Sequence, residues 1–390
     1  MLFKMPTETA HEIGIGTLKI LLGSKFTQNL AGRCLETEIF GTLKRFGLSF
    51  RNPLGMAAGF DKNGVVVNQL AALGFGFIEV GTVTFEPQKG NEKPRLFRLP
   101  DDKALINRLG FNNDGVQKIV ERLREIQPQC ILGVNIGKNK DVTIDDATEN
   151  YLKSFELAHE VADYIAVNVS SPNTPNLREL QRPEYLEELL KTLQKRNWEK
   201  GSAAVSAVGL KASRFQGQTA AHSQDSQQDA GVTLTPLLVK IAPDLSDGEI
   251  EQIVDICLRL NVAGIIATNT TIKRDNLETK KASLDKISNG GLSGKPLASI
   301  SNYVISKIFT LSEGKLPVVG VGGIFTAQDA FDKIAAGACL LQAYTGFVYQ
   351  GPSFARNINA GLFGILRAKG FNDIDSAIGS SPVKQRPNPD

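Results

Sequence analysis

The stretch that decides the fold is residues 317–342, PVVGVGGIFTAQDAFDKIAAGACLLQ. It begins and ends with the short apolar runs Pro317–Val321 and Ala338–Gln342, and a helix-length segment lies between them. Continuous apolar runs of this length are typical of strands that are buried on both faces of a parallel sheet. The stretch therefore predicts a strand–helix–strand unit with a glycine-rich turn directly after its first strand.

Six further runs of the same kind precede this unit along the chain. They are Leu54–Ala58, Phe77–Gly81, Ile131–Asn135, Tyr164–Val169, Pro236–Ile241 and Gly264–Thr268. Amphipathic segments, such as residues 247–260, separate most of them. Eight strands alternating with helices predict an α/β fold, an eight-stranded parallel β/α (TIM) barrel. An open doubly wound sheet is the alternative that the same pattern allows.

The composition is that of a folded protein without a strong charge bias. The 390 residues include 44 Lys and Arg against 41 Asp and Glu, a net charge of +3 that argues against a nucleic-acid partner. The four cysteines and three histidines are scattered, so the sequence predicts no metal site. It contains no run of about 18 apolar residues, the length needed to span a bilayer.

Three segments fall outside the strand–helix pattern and leave residues 36–379 as the barrel domain. Residues 1–35 contain His11 followed by a broad apolar face, which predicts a helix docked on the core, in an apolar tunnel or at a membrane surface. Residues 201–231 are rich in Ala, Ser, Gln and Gly and predict a flexible insertion. Residues 380–390 are polar, and we expect a disordered tail there.

The residues that follow the apolar runs are polar or glycine, and in a β/α barrel they would meet at the active-site end. They include Lys62, Thr82, Asn135, Asn168, Lys240, Asn269 and Tyr344. Ammonium and amide groups suit a flat, anionic ligand better than a sugar, which would call for a pair of carboxylates.

Two glycine clusters, at residues 290–294 and 320–323, predict a phosphate site. Backbone N–H groups after the seventh and eighth strands of a barrel often bind phosphate, and glycine lets the backbone approach it. Neither cluster matches the Rossmann or P-loop pattern. Flavin mononucleotide (FMN) is the cofactor that fits best, with Lys240 placing positive charge near the flavin N1–C2 carbonyl.

Four motifs carry a resemblance to a known family. They are AAGFDK at 57–62, INRLGFN at 106–112, NVSSPNT at 168–174 and GGLSGKPL at 290–297. In this order they resemble dihydroorotate dehydrogenase, specifically its class 2, membrane-associated, quinone-reducing form, over residues 6 to 379. Class 1 enzymes carry cysteine as the catalytic base, and this chain has Ser171 at that position.

The resemblance implies an enzyme that oxidises (S)-dihydroorotate to orotate in de novo pyrimidine biosynthesis. Ser171 would take the C5 proton while the C6 hydride passes to FMN N5, and a ubiquinone-type quinone would reoxidise the flavin. A serine hydroxyl is a weak base, so Thr174 and a water are expected to relay its proton. Phe111 would shield the site from solvent.

The resemblance also assigns the binding residues. For dihydroorotate they are Lys62, Asn107, Phe111, Asn168, Asn173, Asn269 and Thr270. For FMN they are Ala57, Ala58, Gly81, Thr82, Asn135, Asn168, Lys240, Thr268, Ser293, Gly294, Gly322, Gly323, Tyr344 and Thr345. For the quinone they are His11, Arg98 and Tyr344.

Location and partners follow from the resemblance alone. It implies a monomer that contacts the membrane surface through one N-terminal helix, at the mitochondrial inner membrane or, alternatively, a bacterial cytoplasmic membrane. The family's targeting peptide and anchor, expected upstream, are not in this sequence. Two rival functions remain open: a soluble dihydroorotate oxidase that uses fumarate or nicotinamide, and a flavin-binding barrel without catalysis.

Overall fold

The computed structural model describes residues 5–35, 40–213 and 234–387. Its strands, in chain order, are β1 Leu43–Arg45, β2 Leu48–Phe50, β3 Leu54–Met56, β4 Phe77–Val83, β5 Leu96–Leu99, β6 Ala104–Asn107, β7 Ile131–Ile136, β8 Tyr164–Asn168, β9 Leu237–Ile241, β10 Gly264–Ala267, β11 Gly291–Gly294, β12 Val318–Val321 and β13 Leu340–Ala343. Its helices are α1 Thr7–Leu21, α2 Lys25–Leu35, α3 Val67–Ala72, α4 Val116–Glu125, α5 Ala147–Ala158, α6 Pro183–Ser213, α7 Asp247–Arg259, α8 Lys281–Ile287, α9 Ala298–Leu311, α10 Ala327–Ala336, α11 Thr345–Gln350 and α12 Phe354–Ala368.

Eight of these strands close into a parallel barrel in the order β10-β12-β13-β3-β4-β7-β8-β9. Each begins and ends within two residues of its predicted run. Strand β4 is buried along its whole length, as expected for a strand covered on both faces. The predicted TIM barrel is confirmed, and the closed order excludes the open doubly wound sheet.

Local signals explain where several barrel helices begin. Ser246 and Glu249 form a capping box at the start of α7, and Thr326 and Asp329 form one at the start of α10. Each box satisfies backbone N–H groups that would otherwise lack a partner in the first helical turn. These helices therefore start directly after the polar loops that follow the barrel strands.

Two small sheets lie outside the barrel. Strands β1 and β2 form an antiparallel hairpin, and β5, β6 and β11 form a three-stranded antiparallel sheet in the order β11-β6-β5. The second sheet joins distant parts of the chain, because Gly291 in β11 pairs with Asn107 in β6. It borders the cavity described below, since residues of all three strands line that cavity.

The N-terminal segment differs from its prediction. Residues 7–35 form two helices, α1 and α2, rather than one, and His11 lies on α1. Helix α1 ends at Leu21, and the Ser24 hydroxyl accepts from the Thr27 N–H at 3.1 Å, a capping contact at the start of α2. Among the described residues, no helix is both long and apolar enough to cross a membrane.

Two predicted irregular segments carry regular structure or contacts. Residues 201–213 of the segment predicted as a flexible insertion at 201–231 continue α6, because their Ala-rich sequence favours helix; residues 214–231 lie outside the described residues. In the tail predicted as disordered at 380–390, two residues bond to the barrel helices. The Ser381 N–H donates to the Ala335 carbonyl at 2.8 Å, and Arg386 donates to the Asp247 carboxylate at 2.7 Å.

Candidate active site

A cavity opens at the carboxyl ends of the barrel strands and encloses about 1080 Å³ of empty space, open solvent at its mouth included. Nineteen of the predicted site residues line it: Ala57, Ala58, Lys62, Thr82, Asn107, Phe111, Asn168, Ser171, Asn173, Lys240, Thr268, Asn269, Thr270, Ser293, Gly294, Gly322, Gly323, Tyr344 and Thr345.

Ser171 lies in the loop directly after β8 and is almost fully buried. Its Oγ accepts a hydrogen bond from the Asn173 N–H at 3.2 Å, which fixes the hydroxyl at the cavity wall. The Asn173 amide in turn donates to Asn107 Oδ1 at 3.1 Å. The loop that carries the predicted base is therefore joined directly to the end of β6.

Two asparagines, Asn168 at the end of β8 and Asn269 after β10, form a second polar group. Asn168 Nδ2 donates to Thr82 Oγ1 at 2.9 Å and to Asn135 Oδ1 at 3.2 Å. Asn269 Nδ2 donates to Ser170 Oγ at 2.9 Å. Because these amides hold one another in place, they present fixed donors and acceptors to a ligand.

Phe111 packs at the edge of the cavity with a backbone φ of 53°, directly after Gly110 at 71°. Gly137 leaves room for its ring, because a Cβ at residue 137 would lie 2.8 Å from a Phe111 ring carbon. This left-handed pair places the aromatic ring beside Gly137 and Thr82 at the cavity wall.

Lys62 supplies a cation to the cavity wall. Burial lowers the pKa of its ammonium group to about 8, and the Glu8 carboxylate opposes that shift. At neutral pH the ammonium is therefore the predominant form, and it carries a positive charge beside the Asn107 and Asn173 amides that line the same cavity.

The glycine clusters form the wall on the other side. Gly322 and Gly323 adopt φ values of 118° and 76°, and a Cβ on Gly323 would lie 2.5 Å from the Ala298 Cβ. Ser293 Oγ and Thr345 Oγ1 lie 2.9 Å apart beside them. Glycine backbone and two hydroxyls suit a phosphate group, as the sequence predicts.

An aromatic chain leads from this cavity to α1. The His11 ring meets the Phe60 ring edge-on at 5.0 Å, and Phe60 meets the Tyr344 ring at 5.8 Å. Burial lowers the pKa of His11 to about 4, and the Lys62 charge adds to that shift, so the imidazole is neutral at pH 7. Burial raises the pKa of Tyr344 to about 12.

Five predicted site residues do not line the cavity. Asn135 and Gly81 lie directly behind it; the Gly81 carbonyl accepts from the Gly59 N–H at 2.6 Å. Thr174 is buried in the Ser171 loop. The His11 ring contacts the Phe60 ring, which in turn contacts Tyr344 at the cavity. The Arg98 guanidinium donates to the Met5 carbonyl and to Thr7 Oγ1 at the start of α1.

The sequence analysis missed several residues that shape the site. Arg178, on the turn after the Ser171 loop, donates to the carbonyls of Ser170 and Thr270 at 3.0 and 2.9 Å and so joins two loops of the cavity. Its only sequence signal is a single arginine four residues beyond the NVSSPNT motif, and the sequence alone does not show which loops it contacts. Glu79 is buried behind Gln342, a polar residue that lines the cavity. The following apolar residues also line it: Leu96, Leu105, Leu109, Leu297, Val321, Ile324 and Ala343.

Comparison with known proteins identifies the family to which this chain is similar. A family model described as dihydroorotate dehydrogenase matches residues 41–366. The chain is 48% identical over 325 residues to a dihydroorotate dehydrogenase (quinone) from Christiangramia forsetii, covering 83% of each chain. It is 41% identical over 386 residues to one from Mycobacterium tuberculosis, covering 99% of this chain and 98% of the other. A crystal structure of DHODH in complex with ferulenol from Eimeria tenella superposes with a TM-score of 0.80 at 36% identity, covering 96% and 95% of the two chains.

Proposed function

Because the chain belongs to the dihydroorotate dehydrogenase family, in its quinone-dependent class 2, we propose a specific division of labour among its residues. FMN occupies the glycine-lined side of the cavity, dihydroorotate lies beside Ser171 and Lys62, and the quinone approaches past α1. The observation that carries this proposal is that Ser171, Lys62 and Lys240 all line one cavity.

The cavity fits FMN on three grounds. Gly322 and Gly323 line the cavity and pack so closely on Leu297 and Ala298 that neither has room for a Cβ, which leaves bare main chain in the wall and suits the phosphate. Lys240 places a cation on the floor, where it would balance electron density on the flavin ring. Gln342 Oε1 is buried without a partner among the described residues, so it is free to accept from a ligand N–H. When bound, the flavin supplies the two-electron acceptor that dihydroorotate oxidation needs.

On the substrate side, Lys62 neutralises the dihydroorotate carboxylate, and Asn107, Asn173 and Asn269 hold the pyrimidine ring by hydrogen bonds. Ser171 Oγ accepts the C5 proton. The Asn173 N–H that already donates to this oxygen stabilises the negative charge that develops on it. Thr174 and a water pass the hydroxyl proton onward, and Phe111 keeps bulk solvent out.

The quinone end is formed by α1 and α2. Large apolar side chains are exposed on these two helices: Ile13, Ile20, Leu21, Phe26 and Leu30. Such a patch suits contact with a membrane surface, from which a quinone could reach His11 and Tyr344. The relatives from Christiangramia and Mycobacterium favour a bacterial cytoplasmic membrane over the mitochondrial inner membrane, which nothing in the described residues supports.

Anaerobic addition of dihydroorotate to the purified protein tests the proposal. We expect the yellow flavin absorbance to bleach with dihydroorotate and to return with a ubiquinone analogue. Bleaching that is reversed by fumarate or NAD⁺ but not by quinone would support the soluble-oxidase alternative. A protein that binds flavin but never bleaches would support a barrel without catalysis.

A further inference from the structure

A buried carboxylate lies beneath the floor of the cavity and is not used by the reaction proposed above. Glu79 is in β4 and its side chain is fully buried. Its Oε1 accepts from Asn135 Nδ2 at 2.9 Å and lies 3.4 Å from Lys240 Nζ. Its Oε2 accepts from Tyr164 Oη at 3.0 Å and from Gln342 Nε2 at 2.7 Å. One carboxylate therefore gathers side chains from four other strands of the barrel.

Two of those partners, Lys240 and Gln342, also line the cavity. Lys240 has only 6% of its side chain exposed, and the Glu79 carboxylate is the acidic group paired with it among the described residues. A charge this deeply buried is stabilised only while its partner is present, because leaving one ion alone costs far more than the pair contributes. The charge on Glu79 therefore determines the net charge that the Lys240–Glu79 pair presents to a ligand in the cavity.

The orientation of Gln342 depends on the same carboxylate. A carboxylate only accepts hydrogen bonds, so the amide must turn its Nε2 towards Glu79. Its Oε1 then points elsewhere and is buried without a partner among the described residues. Glu79 thus fixes a donor cation and an unsatisfied acceptor on the cavity floor.

We propose that Glu79 is a positioning residue that acts as one unit with Lys240 and sets the electrostatic field beneath the bound flavin. The proposal rests on the proposed function, since it requires flavin on this floor. The ion pair presents less net charge than Lys240 alone, and Glu79 sets the Lys240 contribution to the reduction potential. A positive charge near the ring stabilises the electron-rich reduced flavin, so an unpaired Lys240 would raise that potential.

The test is a double-mutant cycle on the flavin-loaded protein. Glu79→Gln keeps the shape of the side chain but removes its charge, and we expect a higher flavin midpoint potential in an anaerobic dye titration. Lys240→Met is expected to lower it. In the Lys240→Met background, Glu79→Gln should change the potential much less than it does alone. Asp163→Asn, the same chemical change at the start of β8, is the matched control and should leave the potential unchanged; its carboxylate caps the Leu132 N–H at 2.7 Å.

Flavin retention gives a second readout if a single variant folds poorly. Each single substitution leaves a buried charge without its partner and should weaken FMN binding by roughly tenfold or more, while the double variant should recover much of that loss. Additive effects on potential and retention, or a Glu79→Gln potential equal to that of wild type, would overturn the proposal. A wild-type protein that holds no flavin would overturn the proposed function as well, whereas normal flavin with additive variants overturns only the pair.

Discussion

The Arg95 guanidinium binds the Glu8 carboxylate and so joins α1 to the segment directly before β5, in the small sheet beside the barrel. Its Nη2 lies 2.7 Å from Glu8 Oε1, and its Nε lies 3.2 Å from both carboxylate oxygens. The other guanidinium nitrogen donates to the carbonyls of Lys89 and Asn91 at 2.8 Å. Since Asn91 Nδ2 donates to the Asn173 carbonyl at 3.3 Å, one arginine links the proposed quinone helix to the loop that carries Ser171 and Asn173.

Glu8→Gln is expected to weaken turnover with quinone and to spare flavin reduction by dihydroorotate. The neutral amide loses the charge-assisted contact to Arg95, so α1 docks less firmly. We expect a several-fold higher KM for quinone with an unchanged rate of anaerobic flavin reduction. Glu12→Gln is the matched control, because the Glu12–Lys93 pair at 3.5 Å is exposed on both sides and contributes little. Equal quinone kinetics in the two variants would contradict the role given to Arg95.

Ser171→Ala is expected to keep the flavin but to slow its reduction by dihydroorotate by about 10²–10⁴-fold, the usual contribution of a general base. Stopped-flow absorbance measures this rate directly. Ser312→Ala removes a buried hydroxyl that bonds only within α9, to the Phe309 carbonyl at 3.3 Å, and should react at the wild-type rate. A Ser171→Ala rate within a few-fold of wild type would remove Ser171 from the base role.

Binding of orotate is expected to weaken as the pH rises above about 8. The pKa of Lys62 is lowered to about 8 by burial, so its positive charge is complete below that pH and is lost above it. Only the ammonium form balances the ligand carboxylate, and the loss of affinity should approach tenfold per pH unit. Titration of the flavin spectrum with orotate measures this dependence. Lys62→Met should bind weakly at every pH, and a wild-type affinity that is flat from pH 7 to 10 would contradict the assignment.

Lys333 should make the folded state more stable at alkaline pH. Burial lowers its pKa to about 7, although its ammonium donates to Ser301 Oγ at 3.0 Å and to Asn302 Oδ1 at 2.8 Å. The unfolded chain therefore binds more protons than the folded one between pH 7 and the ordinary lysine pKa of about 10.4, and the free energy of unfolding rises across that window. Urea unfolding at several pH values should show a smaller rise in Lys333→Met. An identical pH dependence of the free energy of unfolding in wild type and Lys333→Met would contradict this role of Lys333.

The barrel strands and most of the site follow from sequence, for a physical reason. Parallel strands covered on both faces must be short apolar runs, and their ends must meet at one rim, so Lys240 could be placed at the site from Leu237–Ile241 alone. Glu79 could also have been identified as a buried charge, because it is a charged residue inside the apolar run FIEVG. Its partners could not be found, since Tyr164 and Gln342 reach it only through barrel closure.

The contacts of the C-terminal residues also could not be predicted from sequence. Arg386 stands in a polar, proline-containing stretch that predicts disorder, yet it bonds to Asp247 and stacks over the Tyr303 ring at 5.0 Å. Those partners lie far away in sequence, and no local pattern marks them. The sequence analysis did not predict that α6 continues to Ser213. The Ala, Ser and Gly content of residues 201–213 resembles that of a flexible segment, although the alanines also favour helix.

The pairing of Asn107 with Gly291 bears on how the protein is made. Strands β5 and β6 leave the ribosome early, but β6 keeps an unpaired edge until β11 has been synthesised. A nascent chain that stops before residue 291 therefore exposes this edge together with apolar side chains such as Leu99 and Ile106, which are buried against Leu292 in the finished fold. The cavity is complete only once its last lining residues, up to Gly346, have been synthesised, and a shorter chain exposes apolar surface of the kind that aggregates.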